Sequence, residues 1–124
     1  MNKNSGQALM TLVVYVGVAI LIISAAVIMI LVNSIATNKF EQGSDAYYIA
    51  EDGIENALQQ LLRNPSYSGE TVMIDMSSAQ VSVSGINPKT ITSIGKTGNF
   101  QRRIDVTVAS SSGVLNVLTW KEIY

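Results

Sequence analysis

The stretch ALMTLVVYVGVAILIISAAVIMILV, Ala8 to Val32, decides how the rest of the chain must fold. Only Thr11, Tyr15, Gly17 and Ser24 interrupt it, and no charge appears between Lys3 and Lys39. As a helix these 25 positions would measure about 37 Å, more than the roughly 30 Å of a bilayer's hydrocarbon core. A helix satisfies its own backbone hydrogen bonds, as lipid requires. A soluble helix that is apolar on every face needs a large protein around it, and 124 residues cannot supply one. The run therefore reads as a membrane span, with Leu9, Leu12, Val16, Ala19, Ile23, Val27 and Leu31 as the side chains that would pack against lipid or like helices.

Outward from the run, composition narrows the function. The chain is 48% hydrophobic and 14% charged, with a formal net charge of −1, no Cys and no His. No basic cluster exceeds Arg102-Arg103, so nucleic acid is not an expected partner. Without thiols or imidazoles the usual zinc, nucleophile and general-base constellations cannot be assembled, and Ser/Lys catalysis lacks a Ser-x-x-Lys motif on a helix. No enzyme, metal, cofactor or small-molecule substrate is expected. The acidic residues Glu41, Asp45, Glu51, Asp52 and Glu55 read as a solvated helix face, since no Gly-bounded calcium loop accompanies them.

Before the run stands MNKNSG, Met1 to Gly6. A secretory signal has an apolar region of about 7–15 residues and a small-residue cleavage site after it, whereas this run is longer and ends in Asn33-Ser34. Lys3 favours a cytoplasmic N-terminus. After the run the helical rhythm continues with one polar face: Ala46, Ala50, Ile54, Ala57, Leu58, Leu61 and Leu62 recur at three- and four-residue steps. Asn64-Pro65 ends it, because the residue before Pro is pushed out of helical angles. A continuous helix from Ala8 to Arg63 would have 56 residues and measure about 84 Å.

From Glu70 the period changes to two. Val72, Ile74 and Met76 share a parity, Val81 and Val83 mark a second strand, Thr90 to Gly95 a third, and Phe100, Ile104, Val106 and Val108 a fourth. Thr97-Gly98-Asn99 reads as a tight reversal. Val114 to Ile123 is the last strand, with Trp120 expected as a core plug against the helix stripe. The expected fold is α+β: one long N-terminal helix, half spanning and half amphipathic, on an antiparallel sheet of 4–5 strands.

The short leader ending in Gly6, the apolar helix from Gln7 and the segment Asp45 to Leu62, DAYYIAEDGIENALQQLL, resemble type IV pilins and pseudopilins, and most of all PilX-type minor pilins. The second motif matches as Ala46, Ala50, Glu51, Gly53, Ile54, Glu55, Ala57 and Leu58. The resemblance implies a class III signal cut by a prepilin peptidase between Gly6 and Gln7, methylation of the new amine, and assembly with other pilin subunits into a cell-surface filament. It divides the chain into a leader (1–6), a transmembrane or filament-core helix (7–32), its amphipathic continuation (33–64) and a sheet domain (65–124). Many family members carry Glu at the fifth mature position, where this chain has Thr11, which implies a minor subunit rather than the repeating one. The alternative expectation is an unprocessed single-pass membrane protein with a small extracytoplasmic binding domain.

Overall fold

The computed structural model describes residues 4–124, with side chains from Gly6 onward. The expected leader lies partly outside the described residues, at Met1 to Lys3. One helix, α1 (Asn4–Arg63), is followed by β1 (Thr71–Ile74), β2 (Ser77–Ser84), β3 (Lys89–Thr97), β4 (Phe100–Ser111) and β5 (Val114–Ile123). The five strands form one antiparallel sheet in sequence order, β1 to β5. The fold is α+β. The chain divides into two compact units, one ending at Asn38 and one spanning Lys39–Tyr124.

In the second unit, residues of α1 that recur every three or four positions, Ala46, Ala50, Ile54, Ala57 and Leu61, are buried against Ala79 and Val81 of β2, Ile91 of β3, and Ile104, Val106 and Val108 of β4. Burial alternates along β3 and β4, which puts Thr92, Arg103 and Asp105 on the opposite, wetter face. The core thus sits under β2, β3 and β4. Leu58 is half-buried at its flank, while Leu62 is exposed, so the stripe that holds the sheet ends at Leu61.

Trp120 is not a core plug: it is 41% exposed. It pairs with Val106, so it lies on the helix-facing side as its expected role requires, but on β5, the edge strand that the helix does not cover. An extra residue, Leu118, intervenes where Thr107 pairs with Thr119 and Val108 with Val117, and this bulge puts Val117 and Trp120, three positions apart, on one side. Met76, expected in the first strand, instead occupies the β1–β2 turn and is exposed.

The connections are held by side chains. After the helix end, Asn64 accepts from the Ser66 backbone amide at 3.0 Å, an Asx-type turn that redirects the chain. Asn87 donates to the Ser110 carbonyl at 3.0 Å and accepts from its amide at 3.1 Å, tying the β2–β3 connection to the end of β4.

Candidate functional site

Three surfaces bear on function. The first is the apolar half of α1. Leu9, Leu12, Val16, Ile23, Val27 and Leu31 are all exposed, and Ala19 is half-shaded by its larger neighbours. The helix is long and apolar enough to cross a membrane. Two of its hydroxyls are satisfied within the helix: Thr11 donates to the Gln7 carbonyl at 3.0 Å and Ser24 to the Ile20 carbonyl at 2.8 Å. This i−4 pattern absorbs a polar side chain into the helix's own backbone. Gly6 and Gln7, the residues of the expected cleavage site, are helical and exposed, and nothing crowds the position of a Cβ at Gly6.

The second surface is the seam between α1 and the sheet. A Cβ on Gly95 of β3 would stand 2.5 Å from the Ala50 nitrogen and closer still to the Ala46 carbonyl oxygen, so strand and helix meet backbone to backbone. A Cβ on Gly53 would collide with Ser93 Oγ and stand 2.9 Å from Ala79. The Ala46, Ala50, Gly53 and Ala57 of the quoted motif are therefore the small residues that let the helix settle on β2 and β3. Gly43 is different, since a Cβ there would meet only ordinary contacts at 3.8 Å from Phe100.

Ser93 is fully buried and its hydroxyl has no hydrogen-bond partner. The Ser93-x-x-Lys96 spacing offers no catalytic dyad, because positions three apart on a strand point to opposite faces: Ser93 lies beneath α1 and Lys96 is exposed. Among the described residues no group of three or more Asp or Glu could hold a metal ion.

The third surface is a concavity of about 300 Å³ in the second unit. Both phenylalanines, Phe40 and Phe100, and three of the five tyrosines, Tyr47, Tyr48 and Tyr124, line it. Tyr47 and Tyr48 meet edge to face with ring centres 5.9 Å apart, and the Arg102 guanidinium lies 5.6 Å from the centre of the Tyr124 ring. Arg102 also donates to Glu122 at 3.3 Å. The Glu122 carboxylate, as hydrogen-bond acceptor and nearby charge, holds the Tyr124 phenol above its ordinary pKa. Residues spread from position 39 to position 124 converge here, and the sequence carries no periodic signal for it.

A separate ion pair joins Arg103 and Asp105 on the outer sheet face at 2.8 Å, and this hydrogen bond lowers the Asp105 carboxyl below its ordinary value. Such an exposed pair contributes little to stability.

No protein-family model, curated protein or solved structure matches the chain.

Proposed function

We propose that this protein is a minor pilin or pseudopilin, a structural subunit of a type IV pilus-like filament or of the complex that initiates one. The observation that carries the reading is the joining of two surfaces on one helix. α1 is apolar and exposed through its first unit, and in the second it packs on a sheet through the small residues of the Ala46–Leu58 motif. A helix of this kind can anchor the subunit in the bilayer and then exchange lipid for neighbouring helices, with apolar burial retained throughout. Prepilin peptidase and other pilin subunits are its partners, and its N-terminus starts in the cytoplasm.

The absence of Glu at position 11 bears on its place in the filament. A free amine buried among apolar helices needs a negative partner. Thr11 offers none, and its hydroxyl is already spent on the Gln7 carbonyl. A subunit at a filament end has no neighbour beyond it whose amine would need that charge.

The test is processing. Mass spectrometry of the protein from its native membrane is expected to show Gln7 as a methylated first residue, and Gly6→Trp is expected to retain the leader and to be missing from filaments. Recovery of the intact leader on protein within assembled filaments would overturn the reading. An intact leader with no filament at all would favour the unprocessed single-pass alternative.

A further inference from the structure

The aromatic concavity lies within the second unit, and packing does not explain one of its lining residues. Gly43 is buried in α1, yet a Cβ on it would meet nothing nearer than Phe100 at 3.8 Å and Arg102 Nη2 at 3.9 Å, both ordinary contacts. Alanine would fit there, and glycine is the weaker helix former. At Gly53 and Gly95, by contrast, the sheet or the helix itself forbids a side chain. What the missing side chain of Gly43 leaves is open depth beside Phe100 and Arg102.

The unspent hydrogen-bonding capacity around that depth is cationic. Arg102 carries five donors in a rigid fork, and among the described residues it donates only to Glu122, at 3.3 Å. Lys39 adds three donors. Glu122, the one acid among the lining residues, already accepts from Arg102 and from the Tyr124 phenol. A carboxylate entering the concavity finds donors to spare.

The walls set what carries that carboxylate. Tyr47, Tyr48, Phe100 and Tyr124 present rings whose electron-rich faces attract C–H edges. The concavity is shallow, with Tyr48 58% and Phe40 80% exposed, so an occupant keeps one side in water. A wholly apolar group gains little from such a place. A sugar ring has a C–H face for the aromatic walls and hydroxyls for water, Ser44 and the tyrosine phenols. The volume of about 300 Å³ stands at the small end of ligand sites, which suits a single ring.

We infer that the concavity floored by Gly43 binds an acidic sugar residue, a uronate, whose carboxylate is held by Arg102 and whose ring lies on the aromatic wall. The inference stands on the second unit alone and needs neither the membrane span nor the pilin reading.

The full chain in detergent micelles tests it, titrated by ligand-observed NMR with methyl glucuronide, methyl glucoside and benzoate. Methyl glucuronide is expected to bind with a Kd of about 1 mM or tighter, and about tenfold or more better than the glucoside, which lacks the charge. Arg102→Gln is expected to abolish that preference, while Arg103→Gln, on the opposite face of the sheet, keeps it. Gly43→Leu fills the floor and is expected to remove binding of both sugars. The thermal melt of each variant reports its fold, and Arg102→Gln, at a part-exposed side chain, decides by itself if Gly43→Leu does not fold. No binding of glucuronide, equal binding of the two sugars, or a preference that survives Arg102→Gln overturns the site. Benzoate bound as tightly as glucuronide overturns the sugar and leaves a bare anion contact.

Discussion

Gly53 and Gly95 lie where helix and sheet come closest, and a side chain at either would have to enter its neighbour. Gly53→Ala is expected to lower stability by about 1–3 kcal/mol through overpacking, despite the higher helix propensity of Ala. Ser93→Ala removes a buried hydroxyl that has no partner, so it is expected to raise stability by about 1 kcal/mol and to offset part of the Gly53→Ala loss in the double variant. Denaturant titration of the four proteins in detergent checks both, and additive effects would mean that Gly53 and Ser93 do not share the strain. Gly53 could be singled out in the sequence as a poor helix former inside a helical pattern. Its partner Ser93 could not, since an alternating strand shows which residues face a core and not which one the helix touches.

At the level of elements, the helix phase tests itself through adjacent positions. Ile54 is fully buried and Glu55 exposed. Ile54→Ala is expected to cost about 2–5 kcal/mol and Glu55→Ala less than about 0.5 in the same titration. The stripe was legible because three- and four-residue spacing leaves a helix one choice of face. The strands were legible from alternation and from the Thr97-Gly98-Asn99 reversal. Trp120 was not, for two reasons. Alternation gives a face but no lateral position in a sheet, so it cannot say that β5 is an uncovered edge, and the bulge at Leu118 changes the strand's parity at the place where Trp120 had to be assigned. The aromatic concavity was hidden as well, because Phe40, Phe100 and Tyr124 are neighbours only after the sheet has formed.

For the molecule as a whole, stability rests on the unit from Lys39 to Tyr124, whose buried core excludes the apolar run. Its response to base depends on Tyr67, which packs at the edge of that core and donates to Glu70 at 3.1 Å. Burial first, and then the Glu70 carboxylate, push the phenol from its ordinary 10.0 up to about 12. A raised folded-state pKa stabilises fully below pH 10.0 and is lost as pH rises toward about 12. Thermal melts between those values are expected to fall more steeply for the native chain than for Tyr67→Phe, by a modest margin because water screens a half-exposed group. The backbone contact at Gly95 has a mechanical meaning too. Tension along α1 loads it in shear, and a slip of one full turn would bring Gln42 or Ile54 to where Ala46 or Ala50 now meets the Gly95 backbone. A side chain larger than alanine at that place would have to push strand and helix apart, so the close contact resists sliding.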